Sequence, residues 1–142
     1  MKNTILILIA GFTMFVSCKE NKDNGLTRTV FDPGNLKFIS TSLNPGKKTM
    51  SALYGNDQAF RSLSETASQP EAGSIMKLVT WRYHDNPQYT GGTITGELVS
   101  IETVKTDHLG TVSYKNQSTD KNNQSEKERI QYFMSYKPVS RP

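Results

Sequence analysis

The stretch GSIMKLVTWRYH, residues 73–84, constrains the fold more than any other part of the chain. It is the longest apolar run outside the N-terminal segment, and both its odd and its even positions carry large apolar side chains. Alternate side chains of a strand point to opposite faces of a sheet, so a strand that is apolar on both faces is typical of a sheet centre. We predict a central strand here, with Trp81 buried against the helix or the last strand predicted below.

The N-terminal segment has the features of a secretory signal. Lys2 precedes the apolar run ILILIAGFTMFV, residues 5–16. A membrane-spanning helix needs about 20 apolar residues, whereas the apolar core of a signal peptide has about 7 to 15. The Val-Ser-Cys sequence that ends at Cys18 resembles the lipobox of bacterial lipoproteins, with Phe15 in place of the usual leucine. We predict a signal peptide over residues 1–17 and diacylation of Cys18; the alternative is ordinary cleavage, with Cys18 as a bystander.

Cys18 is the only cysteine, which excludes an intramolecular disulfide. Residues 18–30 are polar and lack apolar periodicity, as expected of a flexible tether between lipid and domain. The mature protein is therefore expected in the bacterial cell envelope, anchored to the outer membrane by lipid. Which face of that membrane it occupies stays open.

The rest of the chain, residues 31–142, reads as one domain. Asn56 is a good N-cap, Asp57 suits the positive end of a helix dipole, and apolar residues follow at helical spacing, so a helix is predicted from Asp57 to Thr66. Residues 116–128 are strongly polar, which fits a loop or an exposed helical turn, and we favour the loop. Besides the central strand, we predict strands at residues 36–43, 48–54, 96–105, 111–115 and 129–137. About six strands and one main helix indicate an α+β fold built on an antiparallel sheet.

Composition and motifs exclude several functions. The net charge is +4, but basic and acidic residues are mixed along the chain, so no nucleic-acid partner is predicted. His84 and His108 are the only histidines, and neither has the spacing of a zinc site, so no metal is predicted. No nucleophile elbow and no phosphate-binding loop occurs. The sequence thus gives little support for an enzyme.

Several segments resemble the cytochrome P-460 family. They are TMSALYGNDQA, the glycine-started strand GSIMKLVTW, TGGTITGELVSIETV, and the C-terminal RIQYFMSYKPV, which resembles the closing strand of that family. The resemblance covers residues 36–142 and is closest to short members that lack a haem motif. It implies a β-rich fold that often dimerises. In haem-bearing members it also implies oxidation of hydroxylamine or binding of nitric oxide at a c-type haem.

This chain departs from the haem-bearing members. Covalent c-type haem needs a CxxCH motif, and no cysteine follows Cys18, so the oxidation of hydroxylamine does not carry over and no cofactor is predicted. The resemblance places a cross-linking lysine of the family near Lys77, which we interpret as a lysine with a packed stem and a solvated ammonium. Non-covalent haem would need an axial ligand such as His84. On a regular strand, His84 faces away from Trp81 and Tyr83, which argues against haem.

The candidate pocket residues are aromatic or imidazole side chains on the central and last strands: Trp81, Tyr83, His84, Tyr132 and Tyr136. Three hypotheses remain open. The first is a lipid-anchored module that binds an unknown small ligand, apolar or planar. The second is a haem-dependent redox enzyme, and the third is a structural or interaction lipoprotein without a ligand. A homodimer is compatible with each.

Overall fold

The computed structural model describes residues 30–118 and 124–139, so the predicted signal peptide, Cys18 and nearly all of the tether lie outside the described residues. Within these ranges the elements are β1 (Lys37–Asn44), β2 (Thr49–Gly55), α1 (Asp57–Ser64), β3 (Ile75–Asp85), β4 (Thr93–Thr106), β5 (Val112–Ser118) and α2 (Glu126–Met134). The strands form one antiparallel sheet in the order β1-β2-β3-β4-β5. The α+β class and the central place of the residue 73–84 strand are confirmed, but this part of the chain has five strands rather than six.

The predicted last strand, residues 129–137, is wrong, because this segment forms most of helix α2. Ser125 caps the helix: its hydroxyl accepts a hydrogen bond from the Glu128 amide, and the Glu128 carboxylate accepts one from the Ser125 amide. This capping box lies in the polar stretch that we predicted to be a loop. Arg129, Phe133 and Tyr136, which follow one another at spacings of four and three, are buried. The aromatic alternation that suggested a strand is equally compatible with this helical spacing.

Helix α1 begins as predicted and ends at Ser64, two residues before the predicted end at Thr66. The side-chain oxygen of Asn56 accepts hydrogen bonds from the amides of Ala59 and Ile75, each at 3.1 Å. Its amide nitrogen donates to the carbonyl oxygen of Gly73 at 2.8 Å. Asn56 therefore caps α1 and also ties the start of the helix to the start of β3.

Both helices pack on one face of the sheet, here called the helical face. The main core lies between the two helices and the sheet and contains Ile39, Leu53, Ala59, Leu63, Met76, Leu78, Val104, Phe133 and Tyr136. Gly55 lets α1 approach closely, since a Cβ atom there would lie 2.7 Å from Ile39 Cδ1 and 2.8 Å from Ala59 Cβ. After α2 the chain returns to the sheet edge, where the Val139 amide donates to the Ile39 carbonyl at 3.0 Å. Neither of the two described helices combines the length and the apolar character needed to cross a bilayer.

The opposite face of the sheet, here called the open face, carries a second apolar cluster of Ala52, Val79 and Trp81. Trp81 is buried, with 6% of its surface exposed, as predicted. The prediction that it packs near α1 or near residues 129–137 is wrong, because Trp81 shares the odd-numbered face of β3 with Val79, whereas both of these segments cover Leu78 on the even-numbered face. Phe31, which precedes β1, packs against this cluster.

Candidate functional site

The helical face of the sheet is divided into an apolar half and a polar half. Along β3 its side chains change from Leu78 to Thr80, and along β2 from Leu53 to Ser51. The helices cover the apolar half, and the polar half forms the floor of a groove of about 850 Å³. Residues of α2, among them Tyr132, form one wall of this groove.

A row of hydroxyl side chains crosses the floor of the groove, with one member on each strand. Successive members are register partners in the sheet and all of them line the groove: Ser42, Ser51, Thr80, Ser100 and Ser118. We call this set the hydroxyl row. Adjacent strands are about 4.8 Å apart, so the row presents hydroxyl groups at regular intervals across the sheet.

The members of the hydroxyl row differ in their hydrogen bonding. The hydroxyls of Ser51 and Thr80 lie 2.8 Å apart, and that of Ser42 lies 2.6 Å from the hydroxyl of Tyr136. Ser100 is 8% exposed and lines the groove, and its hydroxyl has no partner among the described residues. A ligand in the groove can therefore bond to the Ser100 hydroxyl without displacing an existing contact.

A buried ion pair lies beside the floor of the groove. The guanidinium of Arg129 binds both carboxylate oxygens of Glu102, at 2.8 and 2.7 Å, and the Tyr114 hydroxyl donates to the same carboxylate at 2.7 Å. Burial acts to lower the pKa of Arg129, but the hydrogen bonds and the charge of Glu102 outweigh burial and raise it. The Arg129 guanidinium is thus held charged opposite the carboxylate of Glu102. Arg129 also donates to Gln124 at 3.1 Å.

Two tyrosines of this region, Tyr114 and Tyr136, have raised pKa values and act as hydrogen-bonding groups. Burial and then the hydrogen bond to Glu102 raise the pKa of Tyr114 to about 12. The pKa of Tyr136 is also raised, chiefly by burial. Tyr132 packs edge-on against Tyr136 with 5.3 Å between ring centroids, and 39% of its surface is exposed. The Arg129 guanidinium lies 4.6 Å from the Tyr132 ring centroid, so the ion pair holds this ring in place.

The structure brings together only some of the predicted pocket residues. Tyr132 lines the groove, and Tyr136 bonds to a residue of its floor. Trp81 belongs to the cluster on the open face. Tyr83 and His84 lie near the end of β3, and neither is among the residues that line the groove.

The sequence contained a signal for the groove that our predictions did not use. Ser51, Thr80 and Ser100 share a strand face with the core residues Leu53, Leu78 and Val104, respectively. Polar residues at such positions mark the edge of a core, but their alignment into one row depends on the register between strands. No group of three or more histidine, cysteine, aspartate or glutamate residues that could hold a metal ion occurs within residues 30–118 and 124–139.

Neither the known protein-family models nor the curated proteins include a match to this sequence.

Proposed function

We propose that this chain is a lipid-anchored protein of the bacterial cell envelope whose domain binds a small neutral ligand in the groove and does not transform it. The observation that supports this function is the hydroxyl row on the floor of the groove. At about 850 Å³, the groove falls within the usual range of small-molecule sites, about 300 to 1,000 Å³. The cytochrome P-460-like character of residues 36–142 remains part of the proposal and rests on the sequence resemblance.

The chemistry of the lining favours a neutral, hydroxyl-bearing ligand such as a saccharide. A serine or threonine hydroxyl both donates and accepts a hydrogen bond, as a sugar hydroxyl does. The buried charges of Arg129 and Glu102 neutralise each other, and Arg82 at the rim pairs with Glu97 at 3.4 Å. Tyr132 offers an exposed ring on the wall against which the apolar face of a sugar can pack. The lining therefore favours a more polar ligand than the apolar or planar one that the aromatic residues of the sequence suggested.

The haem-dependent alternative requires an axial ligand in the pocket. Of the described residues that line the groove, none is a histidine or a cysteine. The ring of His84 packs over Gly96, where a Cβ atom would lie 2.8 Å from the imidazole. This placement supports a binding module over a haem enzyme, and we expect haemin to produce no Soret shift that depends on His84.

The binding test uses the full chain, purified from membranes in a zwitterionic detergent without a sugar headgroup. Native mass spectrometry first asks whether a small molecule is retained. Calorimetric titrations then use maltotriose and chitotriose as probes. We expect one of the two to bind, and Ser100→Ala to weaken its binding about fivefold, since a neutral hydrogen bond contributes about 1 kcal/mol.

Thr103→Ala is the matched control, because Thr103 lies on the same strand as Ser100 but on the open face. It should leave the affinity for the probe unchanged. Equal weakening by both variants, or no retained molecule together with no binding of either probe, would contradict the proposal and favour a structural or interaction lipoprotein.

The anchor is tested separately, by fractionation. Cys18→Ala should release the protein from the membrane or leave it as an uncleaved precursor, because two acyl chains are needed for stable anchoring. A Cys18→Ala protein that fractionates and migrates like the wild type would contradict the lipoprotein assignment but not the binding site.

A further inference from the structure

Three lysines surround one residue on the open face of the sheet. Thr103 of β4 is the register partner of Lys77 on β3 and of Lys115 on β5. Lys105 lies two residues along β4, on the same face, and all four residues line a second cavity of about 400 Å³. We call Lys77, Lys105 and Lys115 the lysine triangle.

The spacing of the lysine triangle allows its ammonium groups to converge. Neighbouring strands are about 4.8 Å apart and two residues along a strand span about 6.6 Å, so the three Cα atoms lie within about 10 Å of one another. A lysine side chain is long and flexible, and its ammonium is a strongly hydrated point charge with three donors. Three such groups can therefore surround a single phosphate, with the Thr103 hydroxyl between them.

The lysine triangle also lacks compensating charge. Within the described part of the chain, none of its members forms an ion pair. Glu102, the acid next to Thr103 in sequence, points to the other face, where it binds Arg129. Three uncompensated positive charges in one cavity favour an anionic partner.

The chain enters the domain beside the lysine triangle. Phe31 lines the same cavity, its ring lies 6.0 Å from the Lys77 ammonium, and it packs near Tyr54 with 5.6 Å between ring centroids. A tether over residues 18–30, as predicted, reaches at most about 45 Å even when fully extended. With Cys18 in the bilayer, the tether would hold the open face close to the lipid headgroups.

We propose that the lysine triangle binds the phosphate groups of anionic phospholipids, so that the open face of the sheet docks on the membrane surface. This site is separate from the groove, which lies on the other face of the sheet. Docking by the open face would leave the groove turned away from the bilayer and accessible to a ligand.

The test measures how readily each lysine is acetylated when the full chain is mixed with vesicles. Vesicles of phosphatidylcholine alone are compared with vesicles that also contain phosphatidylglycerol, and mass spectrometry gives the extent of acetylation at each lysine. We expect phosphatidylglycerol to reduce acetylation of the lysine triangle about fivefold and high salt to reverse this, since headgroup attraction is electrostatic. Lys47 and Lys127, which are exposed on the groove side, are internal controls that should not change.

Each other outcome contradicts the proposal. Equal acetylation with both vesicles would show that anionic lipid does not bind here, and equal protection of the control lysines would show that another face docks. Full protection by inorganic phosphate with phosphatidylcholine vesicles, and none by phosphatidylglycerol, would identify a site for a soluble anion instead. The orientation rests on the lipid anchor of the proposed function, but a failed saccharide titration changes none of these readouts because the groove lies on the other face of the sheet, so failure of ligand binding and failure of membrane docking are distinguishable.

Discussion

Helices α1 and α2 each carry one arginine that pairs with a glutamate, but the two ion pairs lie in different surroundings. Arg61 of α1 and Glu71 are 3.3 Å apart, with side chains that are 54% and 48% exposed. Arg129 of α2 and Glu102 are 2.7 Å apart, with side chains that are only 11% and 5% exposed. The same two residue types thus make a solvated contact on one helix and a buried, bidentate contact on the other.

This difference shows how each helix is held on the sheet. Helix α1 attaches through Ala59 and Leu63, an apolar stripe that would hold without its ion pair. Helix α2 is polar, and beside Phe133 it places Arg129 against the sheet, where Glu102 must balance the charge. An exposed pair contributes about 0 to 1 kcal/mol, whereas breaking a buried pair costs about 3 to 5 kcal/mol because one charge is left buried alone.

The largest expected effect therefore comes from Glu102→Gln. It leaves the Arg129 guanidinium buried without a counter-charge and should lower the free energy of unfolding by about 3 kcal/mol or more. The matched control is Glu71→Gln, which breaks the exposed pair of α1 and should cost less than about 1 kcal/mol. Urea denaturation measures both. If the two substitutions lower the free energy of unfolding by similar amounts, the buried pair of α2 is no more important for stability than the exposed pair of α1.

A double substitution tests whether the buried pair of α2 matters for its charge balance. Glu102→Leu with Arg129→Met replaces both charges by apolar side chains of similar size, a change that is often neutral or stabilising. We expect the double variant to recover most of the stability that Glu102→Gln loses. A double variant as unstable as Glu102→Gln would show that the pair is needed for its hydrogen bonds and geometry rather than for its charge balance.

The second effect concerns the start of α1. Asn56→Ala removes the cap of the helix together with the bonds to Gly73 and Ile75, and we expect a loss of about 2 kcal/mol, at the upper end of the range for caps. Asn44→Ala is the control, since Asn44 makes its side-chain bond within an exposed turn. Thermal unfolding followed by circular dichroism distinguishes the two, and equal melting temperatures would contradict the double role of Asn56.

The third effect concerns the start of α2. Ser125→Ala removes one half of the capping box and should cost about 1 kcal/mol. Ser64→Ala, at the exposed end of α1, should change stability by less, because its hydroxyl bonds only to the carbonyl oxygen of Phe60 in its own helix. If chemical denaturation shows no loss for Ser125→Ala, the capping box does not stabilise α2.

The smallest expected effect is on the pKa values of two acids, one in the first turn of each helix. The pKa of Asp57 in α1 is lowered by its hydrogen bond with Lys37 and then by the charge of that lysine, whereas the pKa of Glu128 in α2 is lowered by hydrogen bonds from Ser125. Because both pKa values are lower in the folded state, each group stabilises the fold at pH values above its pKa in the unfolded chain. This contribution is lost as the pH falls through the pKa of the folded state.

Lys37→Ala should therefore raise the pKa of Asp57 towards its ordinary value and leave the pKa of Glu128 unchanged. High salt should act in the same direction on Asp57, because the pair with Lys37 is exposed. Carboxyl carbon shifts in an NMR titration report each residue separately. A parallel rise at Glu128 would show that the two acids respond to the overall charge of the protein rather than to their own partners.

The local sequence pattern predicted the secondary structure correctly wherever a segment carried only one short-range signal. Residues 75–85 form the central strand because apolar residues fill both of its faces, and Asn56 caps α1 because a side-chain cap needs only neighbouring amides. Residues 129–137 carried two signals, an alternation with a period of two and a helical spacing. In so short a segment the two signals do not distinguish a strand from a helix, and the capping box at Ser125 favours the helix.

The α+β class, the central strand and the first helix could all be predicted from the sequence, since they follow from periodicity and from bonds between near neighbours. The hydroxyl row could be found only in the tertiary structure, because the alignment of its five members depends on the register between five separate strands. The same register and packing place α2 over the apolar core, where it forms one wall of the groove, and place Trp81 on the opposite face of the sheet from the groove. Side-chain alternation assigns residues to two faces, but which face a helix covers depends on packing between segments far apart in the chain.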